Sequence, residues 1–170
     1  MPQYAVDLGA FDIPRNAVVI DTNVLCARFL PGDDCHANAV LYLEEEPDYF
    51  PIVLSAVVVE TWGMIVGSRK AWDCGLELLD WLGQPGRVLV VPHNSELLER
   101  ARGLTREFST RNGGIDLVDA MLACFAGELS DKCSFRPPVP IMTTDTSDFL
   151  RMYEKQPVRL LDLRTGDTCP

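Results

Sequence analysis

The chain has 170 residues, 47% of them hydrophobic, enough to bury one sizeable core and most simply read as a single compact domain. Its formal net charge of −10 argues against a general electrostatic nucleic-acid binder, which needs a basic face. No apolar run approaches the ~20 residues of a membrane-spanning helix, and residues 1–16 lack the basic and apolar regions of a secretory signal, so a cytoplasmic protein is expected.

In chain order, AVVI at 17–20 is a short run rich in β-branched residues and predicts a buried strand ending at Asp21. Residues 34–45 place Ala37, Val40, Leu41 and Leu43 at near-helical spacing. PIVL at 51–54 is too short to classify by periodicity. Ser55 follows it as an N-cap for a helix over 56–66 that Gly67 stops. A further helix is expected over 69–82, with Ala71, Cys74, Leu78 and Trp81 on one side.

RVLVV at 87–91 is the clearest second strand, closed by Pro92. Asn94 or Ser95 caps the next helix, where Leu97, Ala101, Leu104 and Phe108 recur on one face. Asn112-Gly113-Gly114 breaks the chain ahead of a helix over 116–129. After a proline-rich loop, IMT at 141–143 reads as a third strand and VRLLDL at 158–163 as the last. A short helix around 147–153 is expected to be capped by Asp148 more than by Asp145. Strands alternating with helices predict an α/β fold, with a central parallel sheet covered by helices on both faces. Residues 1–16 stand apart as an N-terminal extension, 17–165 as the folded domain and 166–170 as a C-terminal tail.

The six cysteines form no CxxC pair, and there are only two histidines, so reduced structural thiols are expected rather than a zinc site. The acids are more informative. In parallel α/β sheets, ligands collect beyond the C-terminal strand ends. Asp21 and Asp145 both follow strands, and they share one edge if those strands are neighbours. Asp116 and Asp119 lie on one face at a helix start. Glu60 sits inside the apolar stretch VVVETWGMIV, where an ionised side chain is hard to bury alone. Convergent carboxylates repel unless a cation joins them, and Mg²⁺ or Mn²⁺ takes such hard oxygen ligands. Each acid has a plainer reading as a turn former, a helix cap or a dipole partner.

The ordered segments Val-Ile-Asp21-Thr-Asn23, Val-Val-Glu60-Thr, Asp116-Leu-Val-Asp119-Ala-Met-Leu-Ala and Met-Thr-Thr-Asp145-Thr-Ser-Asp148-Phe resemble PIN-domain nucleases. The resemblance is greatest to the solitary toxins of VapBC-type toxin–antitoxin pairs, and it spans roughly residues 17–165. It implies a PIN-like three-layer α/β/α fold and a Mg²⁺- or Mn²⁺-dependent endoribonuclease. Asp21, Glu60, Asp119 and Asp145 would then be the catalytic metal-binding acids, with Asp116 or Asp148 auxiliary and Asp116 a further metal ligand. Asn23, or the hydroxyl of Thr22 or Thr144, would orient the site. The chain has one more residue between Asp145 and Phe149 than many members, which leaves open whether Asp145 or Asp148 faces the metal.

Partners implied in the same way are an RNA substrate, a small antitoxin and a second copy of the chain in a homodimer. Arg102, Arg106 and Arg111 would line the RNA path, while Arg69 and Lys70 read as a solvated face. Trp62, Trp72 and Trp81 read as core or dimer contacts. Two other readings compete. One is a catalytically silent PIN fold that binds RNA or protein. The other is an aspartyl phosphohydrolase, which needs a general acid where Asn23 stands.

Overall fold

The structure is a computed structural model and describes residues 13–45, 48–109 and 113–169. Its centre is β1 (Ala17–Ile20), flanked on one side by β2 (Phe50–Leu54) and then β3 (Leu89–Val91). On the other side lie β4 (Pro140–Thr143), β5 (Arg159–Asp162) and β6 (Thr168–Cys169). The first five strands pair in parallel, with Val19 opposite both Ile52 and Ile141. β6 runs antiparallel to β5 and adds a strand within the stretch the sequence set apart as a tail. Every residue of β1 and β4 is buried whichever way it points, so helices cover both sheet faces. That double burial is why these strands are continuous apolar runs without polar alternation.

The helices are α1 (Thr22–Phe29), α2 (His36–Val40), α3 (Ser55–Trp62), α4 (Trp72–Leu82), α5 (Ser95–Phe108), α6 (Leu117–Cys133) and α7 (Ser147–Met152). α1 packs on α3 and α4, α6 packs on α5 and α7, and both α1 and α6 reach β4. Nothing in the sequence pattern announced α1. Six of its eight residues are buried, so it lacks the polar face that makes a helix legible by period.

Other boundaries moved for identifiable reasons. Ser55 does not cap α3; its hydroxyl accepts from the His93 amide at 3.1 Å and contacts His93 Nδ1 at 2.8 Å, tying the end of β2 to the end of β3. Gly67 does not stop the helix, which continues as π-helical turns over Gly63–Ser68. The break comes at Lys70, whose φ of 58° is left-handed, so α4 starts at Trp72 and not at 69. Asn94 is the cap of α5, accepting from the Leu97 amide at 2.8 Å. Among the described residues, no helix is long and apolar enough to cross a membrane, and the six cysteines are free thiols.

Candidate functional site

Because β1 and β4 are parallel neighbours, the residues that follow them emerge at the same sheet edge. Asp21 leaves β1 as the N-cap of α1 and is 3% exposed. Its carboxylate accepts from the Thr22 amide at 2.6 Å and from the Thr143 hydroxyl at 2.7 Å. Burial raises the Asp21 pKa to about 6, with Glu60 pushing the same way, against the hydrogen bonds that favour the charge.

Glu60 arrives one turn into α3, which lies against α1. The Thr22 hydroxyl donates to its carboxylate at 2.5 Å, so the acid isolated in an apolar stretch is held over the end of β1. Asn23 crosses from α1 to the β4 end. Its Oδ1 accepts from the Thr144 amide at 3.0 Å, and its Nδ2 donates to Thr143 Oγ1 at 3.3 Å. Thr144 therefore contributes its backbone amide, whereas the hydroxyl contact to Asp21 comes from Thr143.

Asp119 completes the group from the first turn of α6. It is raised to about 8, first by burial and then by the charges of Asp21, Asp116, Asp148 and Glu60. The acids acting on Asp119 come from four separate stretches of chain. Asp116 caps α6, accepting from the Val118 amide at 2.7 Å, so its plainer reading holds alongside its charge on Asp119.

The last motif divides its two acids. Asp145 is exposed, and one of its oxygens accepts from both the hydroxyl and the amide of Ser147, at 2.6 and 2.9 Å. Those bonds hold its pKa below the usual carboxylate value, and Arg164 pulls it the same way. Asp145 thus serves the start of α7, the role the sequence favoured for Asp148. Asp148 instead bears on Asp119 and accepts from Arg151 at 3.1 Å.

Two participants were missed from sequence. Thr143 adjoins Thr144, and strand alternation alone does not say which of them turns toward Asp21. Arg151 also bonds the Gly114 carbonyl at 3.4 Å, and it was signalled only by its i,i+3 spacing from Asp148. Of the expected RNA-path arginines, Arg102 is exposed and paired with Glu99 at 2.5 Å, Arg106 is exposed on the same helix, and Arg111 lies outside the described residues. Trp81 is core, edge-on to Phe29 with ring centroids 5.8 Å apart, while Trp72 is 60% exposed and meets Trp62 edge-on.

The donor set suits a hard divalent cation: like-charged carboxylate oxygens whose crowding a cation would relieve. Among the described residues, no three acidic, histidine or thiol side chains converge into a ready-made coordination shell. Asp21 and Glu60 are instead held by threonine hydroxyls, and Asp148 by the Arg151 guanidinium.

The family model of the PIN domain matches residues 18–155. Similar solved structures include VapC20 of Mycobacterium tuberculosis, described as a sarcin–ricin loop cleaving toxin. It has a TM-score of 0.59 and 18% identity, with 79% of this chain and 94% of that one covered. VapBC2 of Rickettsia felis, bound to a DNA fragment from its promoter, has a TM-score of 0.56, 14% identity and coverage of 86% and 98%. FitAcB of Neisseria gonorrhoeae has a TM-score of 0.54, 17% identity and coverage of 87% and 99%. At these identities the likeness is one of fold. No curated protein matches the chain in sequence.

Proposed function

From the premise that the chain belongs to the PIN-domain family, we propose that it is a divalent-metal-dependent endoribonuclease acting in the cytoplasm. The observation that carries this reading is the meeting of Asp21 and Glu60 at the end of β1, bridged by Thr22 and tied through Thr143 and Asn23 to the end of β4, with the Asp119 pKa pushed up by burial and by these same acids. Acids drawn from distant segments to one strand-end edge have no structural use for one another. Their use is to hold Mg²⁺ or Mn²⁺.

In this reading Asp21, Glu60 and Asp119 are metal-binding acids. Asp148 takes the fourth place, since its charge reaches Asp119 while Asp145 is committed to Ser147. Asp116 is auxiliary. When bound, the cation supplies Lewis acidity toward the phosphodiester and toward water. The chain's own groups do the positioning. Thr143 and the Thr22 amide fix the Asp21 carboxylate, Thr22 and Asn23 anchor Glu60 and the β4 end, and Asp119 would stand ionised in a site that held the cation. Arg151 places a guanidinium fork beside Asp148, where a substrate phosphate can be gripped.

The reading includes a toxin role, in line with the description of VapC20, whose fold the chain shares, as a toxin. A small antitoxin, or a second copy of the chain, would cover the exposed apolar side chains of Val59, Trp72, Leu76 and Leu79 on α3 and α4. A silent RNA- or protein-binding PIN fold is favoured by one feature, the lack of a preformed shell among the described acids. RNA cleavage under Mn²⁺ or Mg²⁺ titration decides between the two. Asp21→Asn should abolish metal-dependent cleavage with the circular dichroism spectrum unchanged, and Asp148→Asn should cost more activity than Asp145→Asn. An Asp21→Asn protein that cuts as fast as wild type overturns the site.

A further inference from the structure

At the opposite end of the sheet, where the parallel strands begin, a cavity of about 320 Å³ is lined by Arg15, Arg136 and Arg159. Arg15 lies two residues before β1, Arg136 lies in the loop leading to β4, and Arg159 opens β5. β1, β4 and β5 are adjacent in the sheet, so the segment before β1, the loop before β4 and the first residue of β5 meet at one end of it. None of the three makes an ion pair among the described residues, and Arg136 donates only to the neighbouring Phe135 carbonyl, at 2.8 Å.

In a chain of charge −10 this is unexpected, because acids outnumber bases by 25 to 15. Among the other described cations, Arg28, Arg100, Lys155 and Arg164 each meet a carboxylate, whereas Arg69, Lys70, Arg87 and Arg106 make no ion pair but line no part of this cavity. Three arginines converging unpaired on one hollow leave a positive site in a negative molecule. Unlike lysine, each offers a planar fork that matches two phosphate oxygens. The rest of the lining is mixed: Ser134 offers a hydroxyl, while Phe135, Pro137 and Pro138 give one apolar side on which a nucleobase can pack. A smaller hollow of about 230 Å³ shares Arg136, Pro138 and Arg159 and brings in the amide of Gln156. It also contains one carboxylate, Asp131, which pairs with neither arginine.

We propose that this cavity binds a nucleotide through its phosphate, either as a free nucleotide or as one unit of an RNA strand. The arginines hold the phosphate and the Phe135–proline wall takes the base. The volume lies at the lower end of the ~300–1,000 Å³ typical of small-ligand pockets. The site shares no residue with the acid edge, so it stands or falls independently of the ribonuclease reading.

The test is calorimetric titration of the full chain in a metal chelator, which keeps the acid edge from contributing. Ligands are a 5′-nucleoside monophosphate, the corresponding uncharged nucleoside, inorganic phosphate and a short oligoribonucleotide. The monophosphate should bind saturably and at least tenfold more tightly than the nucleoside. The paired substitution Arg136→Gln with Arg159→Gln should weaken it at least tenfold, and Arg69→Gln, at an exposed residue that lines neither hollow, should leave it unchanged. If the double variant does not fold, Arg15→Gln, in an exposed position, should still weaken binding several-fold. Competition by the oligonucleotide identifies an RNA strand as the source, and its failure to compete identifies a free nucleotide. Absence of saturable monophosphate binding, or arginine variants that bind like wild type, overturns the proposal.

Discussion

The hydroxyl of Thr143 has one proton, and the Asp21 carboxylate receives it at 2.7 Å, while the oxygen accepts from the Asp145 amide and from Asn23. Replacement by the isosteric valine keeps the volume but strands a buried carboxylate and an amide. Thr143→Val is therefore expected to cost about 1–3 kcal/mol in denaturant unfolding, and to reduce metal-dependent cleavage by misplacing Asp21. Of the residues around Asp21, the acid itself was legible from its place after an apolar strand. Its hydroxyl partner was not, because adjacent threonines on a strand point oppositely and only packing selects one. The division between Asp145 and Asp148 was equally closed to sequence. Both lie near the start of α7, and the contacts of Ser147, Arg151 and Arg164 decide which way each turns.

The helices differ in how openly their sequences declare them. α5 was clear because one face is apolar and the other charged, and its cap, Asn94, stands where the polar-to-helical transition predicts it. α1 was hidden because it is short and buried nearly all round, polar Thr22 included, and the passage of α3 into π-helical turns was hidden because Gly67 reads as a stop. α6 carries two functions at its first turn, and substitution can separate them. Asp116→Asn keeps an acceptor for the Val118 amide and should leave stability close to wild type. Asp116→Ala removes the cap and should cost ~0.5–2 kcal/mol by thermal or denaturant unfolding. Both remove the charge that bears on Asp119, so both should change metal affinity alike. If only the alanine variant altered metal binding, the role of Asp116 would be capping alone.

Over the whole molecule, the acid edge ties stability to pH and, in the proposed metal-binding reading, to cations. Asp21 and Asp119 are raised to about 6 and about 8, so between roughly pH 4 and pH 8 the folded chain binds more protons at these groups than the unfolded chain does. Their contribution is complete below the ordinary carboxylate pKa and is lost as pH rises through 6 and then 8. The metal-free protein should accordingly melt at a lower temperature at pH 8 than at pH 5, and Asp119→Asn should flatten that slope. Mn²⁺ or Mg²⁺ binds the ionised form and should restore the melting temperature at pH 8, by about 2.7 kcal/mol of stability at a hundredfold excess over Kd. A melting temperature indifferent to both pH and cation would remove the case for a metal site. Asp145, whose pKa is lowered, acts in the opposite sense, its contribution being lost only as pH falls below the carboxylate range. The amino-acid sequence alone determined the class of the fold, since buried parallel strands must be apolar runs and the helices between them must alternate with them. It also determined which acids were available at strand ends, because that edge is set by chain direction. Strand order, the pairing of β1 with β4, the orientation of each carboxylate and the gathering of Arg15, Arg136 and Arg159 came only with the packed molecule. Those features depend on contacts between residues far apart in the chain, and no local period or propensity records them.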